Sequence, residues 1–505
     1  MFSTMTGGTI STEGEEAHGL VAQTFLSISA ADARARVDNG TIAVSGNESV
    51  AMFADNWGRG LSEAIMTGGQ ITNSGVNGKG VMARVRDRAS GQTARVQLSG
   101  GSISTTGAGG HGVHARSEID ASVEITMTGG DVSTTGAGAH GVFADRAVNF
   151  GDEAVDLDLS GGSITTSGAS AHGVYVLNES TGTTHVQTAN TITALGFDAD
   201  AIRVDARQGT FDVDITGGRI SNAFRDTAAI RTLGAGGGTI DIHAGAVVEG
   251  NFFESVIDGM GDTRLTVAGD LLYGLDMGAG NDTAIFTGES FGRGFDFVMG
   301  EGSDTFIIEG NADLQRVSSL NGDSDDSTSD AGTDHLIIRG GGAHQTPFNL
   351  IGWEVLTVDA VTLNVRASYV LGTAANEGLF LRNGAQYQAR AFNVLTGNVD
   401  IGQNSVYQGA SSPSPGVDGG LQVNGSLQNA GMLSVQDGQP VNTVQIRDDY
   451  TGGGTVAKDI DFGTATADTL NIGGDVNGPV TVISLAQAPT ASATVADVTV
   501  VNVAG

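Results

Sequence analysis

Aliphatic residues recur in pairs, ten positions apart, along the first half of this 505-residue chain. The first members are Ile10, Ile42, Ile71, Ile103, Val132, Ile164, Ile192 and Ile220, and the second are Leu20, Met52, Val81, Val113, Val142, Val174, Ile202 and Ile230. Successive units are offset by 32, 29, 32, 29, 32, 28 and 28 residues. Each keeps its internal spacing, and only the joining segment changes length. A chain that winds about one axis and stacks each turn on the last gives this pattern. A solenoid is therefore expected, with a core that grows along its axis, so length is not a count of domains.

Within a unit the text alternates with period two. Around Gly100 it reads Val96-x-Leu98, then Ile103 after Gly100-Gly101, then Val113 and Ala115 after the glycines up to Gly112. The next copies have Ile125-x-Met127, Gly129-Gly130, Val132, Val142 and Ala144, then Leu157-x-Leu159, Gly161-Gly162, Ile164, Val174 and Val176. Alternation broken by glycine corners means strands with one inward face, and helical spacing is missing. Recurring small aliphatics in register would stack as columns. The expected fold is all-β: a right-handed parallel β-helix with about three strands per turn. A leucine-rich repeat would need its Asn-ladder consensus and a propeller four strands in about 40 residues, and neither fits.

Three regions follow from the changing period. Residues 1–250 carry turns of 28 to 32 residues, and residues 251–374 carry shorter turns of about 20. Residues 375–505 are a C-terminal β-helix segment, expected to act as a folding cap because a solenoid end exposes core and strand edges. Asp262, Asp282 and Asp304 mark similar Gly-rich corners (GMGDT, GAGNDT, GEGSDT) in the middle region. The run Asn321 to Gly332 (NGDSDDSTSDAG) is too polar to pack and is expected to be an exposed acidic loop. Ser411 to Gly416 (SSPSPG) is a second expected loop.

The formal charge of −33, from 24 Lys and Arg against 57 Asp and Glu, argues against nucleic acid and anionic lipid as partners. The 79 Gly suit frequent corners, and the 6 Pro suit ladders that need their backbone N–H groups. There is no Cys, hence no disulfide framework. Residues 1–30 hold no basic segment followed by an apolar one, and no apolar run is long enough to span a membrane as a helix. Met5, Gly7, Gly8 and Ile10 already belong to a repeat, so a longer parent chain is expected.

Catalytic motifs are sparse. The nearest approach to a GDSG nucleophile is Gly322-Asp323-Ser324-Asp325, inside the acidic run, and neither G-x-S-x-G nor HExxH occurs. No catalytic residue, cofactor or metal site is expected. The corners at Asp262, Asp282 and Asp304 invite comparison with calcium-binding repeats, but such sites need tandem nine-residue copies, so these carboxylates are expected to bond corner amides. His18, His111, His140 and His172 precede Gly in the same corner of their turns, where ring stacking is the expected arrangement and two imidazoles without a carboxylate make a poor closed metal site.

One outward column stands out. Next to each inward aliphatic of the third stretch lie Val21, Phe53, Met82, His114, Phe143, Tyr175, Arg203 and Arg231. Phe53, Met82, His114, Phe143 and Tyr175 are the candidate partner-binding stripe, provided that the variable loops do not fold over it. Trp353 lies in alternating strand text and is expected to pack.

Several stretches resemble the passenger domains of bacterial autotransporters, of the pertactin and AIDA-like adhesin type. GGSISTTGAGGHGV at Gly100 to Val113 looks like their repetitive stalk, and DMGAGNDTAIF at Asp276 to Phe286 and LIGWEVLTVDAVTLNV at Leu350 to Val365 look like later turns. The segment Asp448 to Leu485 is similar to the C-terminal passenger segment that caps the β-helix and aids its folding. The resemblance implies secretion across the outer membrane of a Gram-negative bacterium and display at the cell surface. It also implies an adhesin that meets a host-cell surface component, or an identical passenger on a neighbouring cell. The outer membrane would be met only through a C-terminal barrel beyond this chain. Two other functions fit a β-helix: a stalk presenting another domain, and a carbohydrate-active enzyme with clustered carboxylates.

Overall fold

Alternating segments become strands, and no helix forms among the described residues. The structure is a computed structural model. It describes all residues except 26–28, 87–91, 325–331, 346–348, 391, 411–418, 488–496 and 505, and the side chains of 252 and 253. The chain divides into two compact units: residues 1–282 with 290–295, and residues 283–289 with 296–505. The expected loop at Ser411 to Gly416 and most of the acidic run after Ser324 lie outside the described residues.

In the first unit, Phe2–Met5, Thr9–Thr12 and Leu20–Thr24 form one turn. Ala33–Val37, Thr41–Val44 and Val50–Asn56 form the next, and each pairs in parallel with its counterpart: Phe2 with Arg34, Ile10 with Ile42, Leu20 with Met52. The aliphatic pairs therefore stack in register, as a parallel β-helix requires. Ile42, Ile71, Ile103, Val132, Ile164, Ile192 and Ile220 are all buried, as are Met52, Val81, Val113, Val142, Val174, Ile202 and Ile230. Each such side chain contributes roughly 1.5–3 kcal/mol on leaving water. Ile10 and Leu20, in the first turn, are only half-buried.

The Gly-Gly turns of the sequence take a different form. Thr93–Thr105, Ser122–Thr134 and Val155–Thr166 run on as single strands through Gly100-Gly101, Gly129-Gly130 and Gly161-Gly162. The register slips at those glycines, and Gly101, Gly130 and Gly162 take φ of 91°, 95° and 97°. The chain thus bends without breaking its ladder, in a conformation that suits glycine. A polar interior residue closes the following corner. Thr105, Thr134 and Thr166 donate their hydroxyls to the carbonyls of Gly110, Ala139 and Ala171, while Asn73 donates to Ser49 and Lys79 (both 2.9 Å).

In the second unit the strands are again parallel, with Thr305 beside His335, Val355 beside Gly378 and Thr362 beside Gln386. Trp353 is buried and donates its indole N–H to the Leu320 carbonyl (3.0 Å), the packing expected of it. Tyr387 and Tyr407 lie 4.6 Å apart in the core, and the Tyr407 hydroxyl donates to Asn393 Oδ1 (3.1 Å). Nearer the C-terminus Lys458 is fully buried and donates to the Val500 carbonyl. Asp468 accepts the amides of Asn442 (2.8 Å) and Asp459 (2.7 Å).

Candidate functional site

The third strand of each turn in the first unit presents two outward columns side by side. One is the stripe read from the sequence, and every step of it pairs in register: Val21 with Phe53, Phe53 with Met82, Met82 with His114, His114 with Phe143, Phe143 with Tyr175, Tyr175 with Arg203, Arg203 with Arg231. The other lies two residues on: Gln23, Asp55, Arg84, Arg116 and Asp145. The corner column of His18, Val50, Lys79, His111, His140 and His172 flanks the stripe on its opposite side.

The stripe is continuous, but its exposure differs from the expectation. Phe53, Met82 and His114 are only 3, 5 and 2 % exposed, and Phe143 and Tyr175 are half-buried. Side chains of the flanking columns provide much of the cover. His18 meets the edge of Phe53 at 5.2 Å, and the Arg84 guanidinium lies over the same ring at 5.0 Å. His111 and His140 pack on Phe143, and His140 and His172 on Tyr175, with Arg203 also over Tyr175 at 5.8 Å. Long polar side chains lay their stems and planes on apolar surface and keep their heads wet. Within the stripe His114 stacks on Phe143 (4.8 Å, 16°), and Phe143 on Tyr175 (5.0 Å, 1°).

Three of the corner histidines, His111, His140 and His172, form the stack expected of them, whereas His18 packs on Phe53. His111 and His140 are 5.0 Å apart at 3°, and His140 and His172 are 5.1 Å apart at 6°. A feature that sequence alone did not reveal holds this stack together. The amide of each next corner donates to the Nδ1 below it: His140 to His111 (3.2 Å), His172 to His140 (3.1 Å), Asp200 to His172 (2.9 Å). Asp200 continues the series by accepting the Ala228 amide at Oδ1 (2.8 Å). An Nδ1 that accepts leaves the proton on Nε2, so these rings are neutral. Burial agrees: it pushes His140 and His172 down to about 3 and His111 well below the ordinary histidine range.

Between the corner column and the Arg column lies a groove of about 590 Å³, within the size range of small-ligand sites. Phe53, Met82, His114 and Phe143 form its floor. One wall holds His18, Lys79 and His111, with Glu16, Glu48 and Asn77 above them at left-handed corners (φ 53°, 54° and 54°). The other holds Arg84, Arg86 and Arg116. Asp55, fully buried, anchors this second wall: Arg84 and Arg86 approach its Oδ1 at 3.1 and 3.0 Å, and Trp57 donates to its Oδ2 at 3.1 Å. Burial pushes the Asp55 carboxyl up, and Arg86 opposes that shift.

Around His114 the pairing is incomplete. Neither ring nitrogen has a hydrogen-bond partner, and Nε2 stands 3.7 Å from Asp145 Oδ2. Arg116 Nε stands 3.5 Å from the same oxygen, and Asp145 Oδ1 has no partner. Burial holds the His114 ring well below its ordinary range and raises Asp145.

The remaining sequence candidates lie apart from this groove. At the acidic corners Asp262 Oδ1 accepts the Asn281 amide (2.8 Å) and Asp282 Oδ1 the Thr263 amide (2.7 Å), the amide bonding that was expected. In the second unit the Asp304 amide donates to Asp334 Oδ1 (2.7 Å). Among the described residues no group of three His, Cys, Asp or Glu is placed to hold a metal ion. Gly322 donates its amide to Ile351 (2.9 Å), and Ser324 lines a hollow with Asp296, Ser319 and Asn349 but no histidine; Asp325 lies outside the described residues. No family model matches the chain, and no curated protein matches it either. The fold and the groove therefore define a class only: a parallel β-helix with a polar, aromatic-floored groove on one flank.

Proposed function

We propose that this chain is a non-catalytic adhesive β-helix of the autotransporter-passenger kind, displayed on a Gram-negative cell surface, where it attaches to a host-cell component or to its own copy on a sister cell. The observation that carries the reading is the groove. A stack of interior aliphatic columns needs no such feature for stability, yet one flank assembles aromatic rings, guanidinium groups and left-handed polar corners around a recess. The neutral corner histidines support binding over catalysis, because each Nδ1 is already committed to a backbone amide. Repeated display on one cell would turn weak contacts into firm attachment by avidity. The sequence resemblance to passengers supplies the setting.

The test is to display the chain on a non-adherent bacterium and score clumping in suspension and attachment to host cells. Either behaviour, absent from cells displaying an unrelated β-helix, is the expected result. Neither behaviour would move the function to a stalk that holds another domain away from the membrane.

A further inference from the structure

The groove carries an inference about what is bound, which rests on the adhesin reading only for its biological setting. Its length is set by four successive strands, from Phe53 to Phe143, at a spacing of about 4.8 Å, or roughly 14 Å in all. That length suits a short extended ligand. Of the floor residues, Phe143 is half-buried and offers ring surface to an apolar ligand face, while Phe53, Met82 and His114 lie covered by the flanking side chains.

The unmatched buried atoms narrow the chemistry. Arg116 Nε, 3.3 Å from Glu118 Oε1 and 3.5 Å from Asp145 Oδ2 but hydrogen-bonded to neither, can only donate, and Asp145 Oδ1 in its charged form can only accept. A neutral His114 ring offers one donor and one acceptor, and both are unused. A simple anion, which only accepts, would leave the accepting nitrogen of His114 unmet. Hydroxyl groups donate and accept, so a polyhydroxylated ligand can meet both groove-lining residues, Arg116 and His114, once the Arg116 side chain, 37 % exposed, turns toward it. The opposite wall also mixes acceptors and donors, here partly paired with each other: Asn77 Nδ2 donates to Glu48 Oε1 (2.6 Å), and Lys79 Nζ to the Asn77 carbonyl.

The wall of Arg84, Arg86 and Arg116 adds a preference for a carboxylate. With Lys79 these make four of the chain's 24 Lys and Arg residues gathered in one recess. Arg84 and Arg86 share the single buried carboxylate of Asp55, so that pair of guanidinium groups keeps an excess positive charge. A long polyanion would meet the repulsion of a chain with a formal charge of −33, whereas a short acidic ligand engages the recess alone. We infer that the groove above Phe53, Met82, His114 and Phe143 binds a short acidic oligosaccharide, a sugar face on the Phe143 ring and its carboxylates toward Arg86 and Arg116.

The probe is a linear trimer of galacturonic acid, titrated into the purified full chain by calorimetry beside the neutral galactose trimer and inorganic phosphate. The expected result is saturable binding of the acidic trimer, at least about tenfold tighter than the neutral one, with no competition by phosphate at equal concentration. Arg116→Gln is expected to abolish the preference for the acidic trimer. Because that change also disturbs buried Asp145, a second variant, Glu48→Asn with Asn77→Gly, alters only the exposed left-handed rim. It is expected to weaken both sugars several-fold while leaving the melting temperature unchanged. Equal affinity for phosphate, or no binding of the acidic trimer to the folded chain, overturns the inference. Failure here with cells that still adhere would leave the adhesin reading standing, and sugar binding without adherence would overturn that reading alone.

Discussion

Gly138 and Gly141 sit three residues apart in one corner and answer to different constraints. A Cβ on Gly141 would lie 2.4 Å from Ile164 Cγ2 and 2.6 Å from the Gly173 carbonyl, so the next turn forbids it. Gly138 has φ +64° and open space around it, and the equivalent corner of another turn holds Asn77 at φ 54°. Gly141→Ala is therefore expected to destabilise the unit by about 1–3 kcal/mol, through forced separation of stacked turns. Gly138→Asn should stay within about 0.5 kcal/mol of wild type. Chemical denaturation of the two variants checks the pair, and equal effects would contradict the claim that close approach sets Gly141 apart from Gly138. The corner histidine is similarly specific in what it supplies. Asp200 does the same work as His172 by accepting an amide, so the acceptor matters more than the ring. His140→Asn should retain most of the stability, and His140→Leu should lose about 1–3 kcal/mol by stranding the buried His172 amide.

At the scale of an element, the histidine stack makes stability depend on pH. His140 and His172 sit at about 3 in the folded chain, pushed down by burial, against about 6.5 when unfolded. Below about 6.5 the unfolded chain takes up protons that the folded stack refuses. Stability is thus fully present above that value and is lost as the pH falls toward 3, by about 1.4 kcal/mol per pH unit for each ring. Buried carboxylates act the other way: Asp258, pushed up to about 6, and Asp468, pushed up to about 7, release stability as the pH rises through that range. The measurement is therefore a difference. The melting temperature of the wild type should fall relative to that of the double variant His140→Asn, His172→Asn as the pH drops from 6.5 to 4, and a constant difference would mean that the rings titrate normally.

This element also shows what the sequence could and could not convey. The inward columns and the stripe from Val21 to Arg231 were legible, because strand alternation and a fixed repeat place each residue without knowledge of its neighbours. The cover over Phe53 was not, since it depends on how far the Arg84 side chain reaches sideways from the adjacent column. Nor was the amide ladder, because a histidine before glycine carries no sign of which nitrogen meets the next turn. The second outward column was within reach: Gln23, Asp55, Arg84, Arg116 and Asp145 repeat two places after the stripe, but their mixed charges hide a common position.

For the molecule as a whole, interior columns and backbone ladders supply the stability and leave the outer faces free to vary. The first unit uses one of these faces to build a recess with ring faces below and opposed polar walls above. The proposed attachment lies there, and not on the other sheets that the same turns present to solvent. The most direct measurement is adherence of bacteria displaying three forms of the chain at matched density. These are the wild type, an Arg86→Gln, Arg116→Gln variant, and an Arg95→Gln, Arg219→Gln variant that removes the same charge from strands outside the groove. Loss of adherence by at least about tenfold in the first variant alone is predicted, the loss of one good charged contact. Equal adherence of both variants would contradict the claim that this flank is the binding face.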